Sequence, residues 1–177
     1  MGEGSYGTLE KDTLTDKDMA ELFNPDNLIR VLEDLANDVR DNYKAQLELH
    51  DRIASGDLIN KVKTEVEVNG TVYSVWLTDL QDYWKYVENG SAPHWPPKEA
   101  IDRWIQIKPV IPHPDKNGRL PTPEQLSFLI RRKISIEGTE GSHDLKKAED
   151  AVLPAYEERL LEALQRDALN YIEKVLP

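Results

Sequence analysis

The sequence predicts an α+β fold: a long N-terminal helix packed on a small antiparallel β-hairpin sheet, with short helices and a long C-terminal helix. Three observations predict it. Apolar residues recur with helical spacing at Leu28, Leu32, Leu35, Val39, Tyr43 and Leu47. Residues 58–78 alternate apolar and polar around Asn69-Gly70, a strong two-residue hairpin signal. A second apolar stripe, Leu153, Leu160, Leu161, Leu164, Ala168, Ile172 and Val175, closes the chain.

The elements follow in order. Residues 1–23 read as a flexible acidic arm, with Thr15 and Asp18 weakly marking a helical turn over 16–22. Asn24 is placed to cap the first helix, and Pro25 fits its first position because its missing N–H has no partner there. The helix is expected over 25–51, with Asp34, Asp38, Arg40 and Asp41 off the stripe. Folding on Asn69-Gly70 pairs 68 with 71, 66 with 73, 64 with 75 and 62 with 77. One face then carries Val62, Thr64, Val66, Val68, Thr71, Tyr73, Val75 and Leu77, and should lie on the first helix. The other is polar except for Val72 and for Trp76, which sits opposite Lys63.

After a mixed stretch at 79–88, residues 89–97 form a loop stiffened by three prolines. Pro97 opens a helix over 98–107 with Ile101, Trp104 and Ile105 on one side, and Pro109 ends it. A long loop to 121 leads to a capping box at Thr122-Pro123-Glu124-Gln125. The helix it opens turns Leu126, Leu129, Ile130, Lys133 and Ile134 inward and stops at Gly138. Residues 139–144 are a second loop, and the last helix runs over about 154–175. The organisation expected is an arm (1–23), an α+β domain (24–153) and a C-terminal helix (154–177).

Charge and composition exclude whole classes of function. The chain has 177 residues and no cysteine, so disulfide scaffolds, thiolate metal sites and cysteine nucleophiles are out. With 33 acidic and 22 basic residues its net charge is −11, which opposes general binding to DNA or anionic membranes. No charge-free stretch exceeds 11 residues, too short to span a bilayer, and Met1–Phe23 lacks the apolar centre of a secretory signal. Asn69-Gly70-Thr71 and Asn89-Gly90-Ser91 therefore read as turns, not glycan sites. The charge is segregated: net −8 over residues 1–60, −2 over 61–97, +3 over 98–147 and −4 over 148–177. Two acidic ends flank a mildly basic middle. That asymmetry suits solvated helix faces, and it also suits contact between copies of the chain.

Motifs for chemistry are missing. There is no phosphate-binding glycine loop, no H-E-x-x-H and no G-x-S-x-G. The four histidines, at 50, 94, 113 and 143, have no second histidine at helical ligand spacing. No cofactor or metal is expected. Arg131-Arg132-Lys133 reads as solvated or subunit-pairing charge rather than nucleic-acid readout. Three of the four tryptophans cluster at 84, 95 and 104 around the proline loop, a placement that serves core packing or a protein interface.

One run is more specific. Tyr83-Trp84-Lys85-Tyr86-Val87-Glu88-Asn89-Gly90-Ser91-Ala92-Pro93-His94-Trp95-Pro96-Pro97 resembles the Y-x-x-Y-V-E-x-G-T-x-P-H-x-P-P signature of tailed-bacteriophage tail-completion and neck (head–tail joining, minor tail) proteins. Three further segments fall in the family's order: Ala54 to Leu58, Ile101 to Ile107, and Phe128 to Ile134 followed by Glu137-Gly138-Thr139. The resemblance covers roughly 25–155. Asn89, Ser91 and Ser142-His143-Asp144-Leu145 depart from the family pattern, and the N-terminal arm and long final helix are additional.

The resemblance implies a structural virion protein and not an enzyme. It would form a homo-oligomeric ring at the neck, between the portal or its adaptor and the tail, after assembly in the bacterial host cytoplasm. Double-stranded DNA would pass through the lumen without specific binding, and no membrane is involved. The residues expected at interfaces are Trp84, Tyr86, Glu88, Pro93, His94, Trp95, Arg131 and Arg132. Two rivals come from other classes: a small metal-dependent hydrolase or nuclease using Glu88 and His94, and a dimeric regulatory binding module.

Overall fold

A computed structural model describes residues 23, 25–51, 55–108 and 110–176. The arm with its turn at 16–22, the Asn24 cap and the stop at Pro109 lie outside the described residues. The fold is α+β. In chain order the elements are α1 (Asp26–Leu49), α2 (Asp57–Lys61), β1 (Lys63–Asn69), β2 (Val72–Thr78), α3 (Trp84–Asn89), β3 (Gly90–Ser91), α4 (Lys98–Ile107), α5 (Pro123–Glu137), β4 (Thr139–Glu140), α6 (Asp144–Val152), a 3₁₀ turn (Leu153–Ala155) and α7 (Glu157–Val175).

Helix α1 is the spine. Its buried residues are Leu32, Leu35, Ala36, Val39, Tyr43 and Leu47, the stripe the sequence marks with Ala36 added and Leu28 only partly buried. Around its first half, Leu32, Leu35 and Val39 join Tyr156, with Val66, Tyr73 and Val75 of the hairpin packed against them. Around its second half, Tyr43 and Leu47 join Leu58 and Ala148, and Leu77, Trp84 and Val87 close that cluster. The hairpin thus lies on α1 by its Val/Tyr/Leu face, as expected. Helices α6 and α7 cover α1 from other sides.

The hairpin register differs from expectation by two residues. Asn69 pairs with Val72, Val68 with Tyr73, Val66 with Val75 and Thr64 with Leu77. The two turn residues are therefore Gly70 and Thr71. Only Gly70 has positive φ (+61°), the pattern of a turn with glycine first and no left-handed second residue. Because side chains alternate with period two, a slip of two leaves every face unchanged. Trp76 consequently opposes Glu65 and not Lys63, and its indole N–H donates to Glu67 at 3.1 Å. Lys61 ends the short helix α2, and Val62 is buried just before β1 rather than paired within it.

Two loops contain structure the sequence did not announce. Within 88–97, Gly90–Ser91 pairs antiparallel with Thr139–Glu140, so the start of one loop and the start of the other are joined. Helix α6 occupies Asp144–Val152, where a loop end and no helix was expected. Two stripes also need correcting. In α5, Leu129 is 50% exposed and Lys133 points to solvent, while Ser127 is buried and Leu126, Ile130 and Ile134 are partly covered. In the last stripe, Leu160, Ala168 and Val175 are partly covered, but Leu153, Leu161, Leu164 and Ile172 are exposed, and Tyr156, Ala163 and Asp167 are the buried residues.

Asp167 explains that inversion. Its carboxylate, 2% exposed, accepts from the backbone N–H groups of Asn27 (3.2 Å) and Leu28 (2.8 Å) and from the Asn27 side chain (2.7 Å). It satisfies the unpaired donors at the start of α1 and places negative charge at the positive end of that helix. Glu88 does the same for α6. It is 6% exposed, and its two oxygens accept from the N–H groups of Leu145 (2.9 Å) and Lys146 (3.1 Å).

Candidate assembly surface

Residues 92–138 leave the body and return to it at one place. The stem is the β3–β4 pair, where the Ser91 and Thr139 hydroxyls meet at 2.9 Å. Glycine is required on both sides of it. A Cβ on Gly90 would lie 2.1 Å from the Thr139 carbonyl oxygen, and one on Gly138 would lie 2.1 Å from that of Ser91; both residues have positive φ. Just below, the N–H groups of Ser142 and His143 donate to the carbonyls of Val87 (2.9 Å) and Glu88 (3.1 Å). The stem is therefore continuous with the cap of α6.

Beyond the stem, α4 and α5 pack on each other. Helix α5 starts at the expected capping box: Thr122 accepts from Gln125 N–H at 3.3 Å, and the Gln125 side chain accepts from Thr122 N–H at 3.0 Å. The proline loop 92–97 runs beside α5 and is tied to it. Arg131 donates from Nε to the Pro96 carbonyl at 2.9 Å, and its guanidinium lies 4.8 Å from the Trp95 ring centroid. The Trp95 ring meets Phe128 edge-on at 6.0 Å. Despite these two partners, Trp95 remains 49% exposed, and Phe128 and Leu129 are each about half exposed. A recess of about 850 Å3 adjoins them, lined by His113, Arg119, Leu120, Pro121, Phe128 and Leu129 among others.

The electrostatics of this excursion are net positive. Residues 92–138 carry eight basic and five acidic side chains. Lys98 and Asp102 form an i,i+4 pair that raises the lysine pKa and lowers that of the aspartate, so both stay charged near neutrality and cancel. Lys133 faces Glu137 at 3.9 Å, and Lys108 reaches back to Asp51 at 2.8 Å. The last contact fixes the excursion at the C-terminal end of α1.

The residues expected at interfaces divide between surface and core. Pro93, His94, Trp95 and Arg132 are exposed, and Arg131 is half-buried beneath Trp95. Tyr86 is 61% exposed on α3, beside a separate recess of about 410 Å3 whose lining includes Ile134 and Thr139. Trp84 is partly buried against the core cluster of Tyr43 and Leu47, and Glu88 is buried with both oxygens bonded, so Glu88 offers no surface and Trp84 little. Phe128 and Leu120 belong to the surface but were not singled out as site residues. Leu120 is signalled by standing beside Pro121 in a polar loop, whereas nothing in the sequence around Phe128 marks it.

The arrangement assembles no Glu88–His94 site. Glu88 faces α6, while His94 is exposed with its Nδ1 2.9 Å from the Ala92 carbonyl oxygen. Among the described residues no group of three or more histidines and carboxylates could hold a metal ion. One histidine–carboxylate pair does form elsewhere: His50 Nδ1 lies 2.6 Å from Asp144 Oδ1, with Lys147 Nζ at 3.6 Å from the same oxygen. Asp144 is fully buried at the start of α6, and the pair links that helix to the end of α1. No helix among the described residues is long and apolar enough to cross a membrane. In comparisons with protein-family models, with curated proteins and with solved structures, nothing matches this chain.

Proposed function

We propose that this chain is a structural component of a tailed-bacteriophage virion, forming a homo-oligomeric ring at the neck that joins the portal or its adaptor to the tail. The observation that carries the reading is the exposed Trp95–Phe128–Arg131 surface. It is built from the two segments that resemble neck proteins, Tyr83 to Pro97 and Phe128 to Thr139, which the fold brings side by side through β3–β4 and the Arg131–Pro96 bond. Aromatic and arginine side chains held rigidly and left half exposed are what protein interfaces use as anchors. A net charge of −11 suits a ring through which DNA passes without adhering, since a negative lumen repels phosphates.

The test is a reconstruction of the particle with mass measurement of its neck. Several copies of this chain around one axis, between portal and tail, are the expected result. Absence from mature particles and from assembly intermediates would overturn the reading. So would turnover of a substrate by the purified chain that disappears when His94 is replaced, or a plain dimer that never enters particles.

A further inference from the structure

We infer that the Trp95–Phe128–Arg131 surface is the docking site for the acidic N-terminal segment, residues 1–22, of a neighbouring copy. This rests on the ring proposed above and names the partner of its exposed surface.

Two of the apolar faces that the described residues leave uncovered matter here. One is the outer flank of α7, with Leu161, Leu164 and Ile172 about half exposed. The other is the Trp95 surface with Phe128, Leu129 and Leu120. Segment 1–22 carries six acidic and two basic side chains, together with Leu9, Leu14, Met19 and Leu22. Charge separates the two faces. Residues 157–176 hold five acids and three bases, whereas 92–138 hold five acids and eight bases. An acidic segment with apolar anchors is repelled by the first and matched by the second, where Arg131 and Arg132 stand beside the aromatic pair.

The charge along the path, and not the reach of the segment, favours a contact between copies. The chain enters the described residues at Phe23, whose ring meets Tyr171 edge-on at 5.8 Å, beside the N-terminal end of α1. The basic surface belongs to the excursion 92–138, which is anchored at the other end, where Lys108 pairs with Asp51. The 24 residues of α1 separate these ends by about 36 Å. To reach its own surface, the segment would run back along α1 and α7. Residues 26–51 and 157–176 are both net acidic on that path. A segment of this length spans up to about 75 Å, enough to reach a neighbour. Arm at one end and receptor at the other make a head-to-tail contact, the kind that closes into a ring when its rotation permits.

The chain has no cysteine, which makes the test direct. Two full-length proteins are prepared, one carrying Asp18→Cys and the other Leu129→Cys. They are mixed and treated with a flexible bismaleimide. The mixed pair is expected to link about tenfold more than either variant with itself, and to lose that preference at high salt. Arg131→Glu with Arg132→Glu in the Leu129→Cys chain should abolish it. Lysine at positions 12, 16 and 21 of the partner (Asp12→Lys, Asp16→Lys, Glu21→Lys) should restore it, which separates lost docking from lost folding. Equal linking of all pairs, indifference to salt, or linking only within single molecules by a chain that carries both Asp18→Cys and Leu129→Cys would each overturn the inference. If the preference is absent while the chain still occupies the neck of particles, docking fails alone; if the preference holds and the chain is missing from particles, the neck reading fails alone.

Discussion

At the scale of single residues, two carboxylates do work that neighbours in sequence usually do. Asp167 and Glu88 cap helices that begin far from them along the chain. Replacing Asp167 by alanine strands two buried N–H groups and removes a charge-assisted cap, so it should cost about 2–4 kcal/mol in a denaturant titration. Asp167→Asn, which keeps one acceptor, should lose less. Tyr43 gives the opposite case. Its hydroxyl is fully buried and makes no hydrogen bond among the described residues. Burial first, then the Glu88 and Asp144 carboxylates, hold its pKa far above the ordinary tyrosine value of about 10. The unfolded chain therefore releases this proton near pH 10 while the folded chain keeps it. Stability from this group is complete below that pH and is lost as pH rises above it. Tyr43→Phe should change stability at neutral pH by less than about 1 kcal/mol and should blunt the alkaline loss, read from melts across pH 8–11.

At the scale of elements, legibility follows the range of the interactions. Helix α1 was readable because its stripe is long and its burial is one-sided. The hairpin faces were readable because alternation survives an even slip, but the register was not: only Gly70 takes a left-handed conformation, so the tight turn sits one residue later than Asn69-Gly70 suggests. Helix α6 was missed because its cap comes from Glu88, and its residues Ala148 and Val152 make a weak stripe. The inward face of α7 was misread because a buried Asp167 and a small Ala163 occupy positions where leucine looked more natural. The hairpin face yields a prediction at this scale. Val66→Asp or Val75→Asp would bring an unpaired carboxylate against Leu35 and Val39, at several kcal/mol, and should abolish the cooperative thermal transition seen by circular dichroism. An unchanged melt would contradict the observed packing. At the surface, the exposure of Pro93, His94 and Trp95 was legible because proline and aromatic residues in one short run mark a rigid exposed loop. Phe128 was not, since only the fold sets it against Trp95.

At the scale of the whole molecule, the body and the excursion have separable duties. Helices α1, α6 and α7 with the hairpin bury the core, while 92–138 presents the aromatic surface. Trp95→Ala should therefore shift the melting midpoint by only a few degrees, since the side chain is half exposed, and, under the proposed neck role, lower the yield of complete particles by about tenfold or more. Gly138→Ala should fail in both measurements, because its added carbon collides with the Ser91 carbonyl at the stem.

That stem has a consequence for how such a chain can vary. The two ends of 92–138 are clamped within one short pair of strands, and closing a longer or shorter stretch between fixed ends changes the entropy only slowly with length. The segment is thus a detachable head on a constant handle. Loops of other lengths and sequences could be grafted between Ser91 and Thr139 to fit a different neighbour, while the spine beneath continued to fold unchanged.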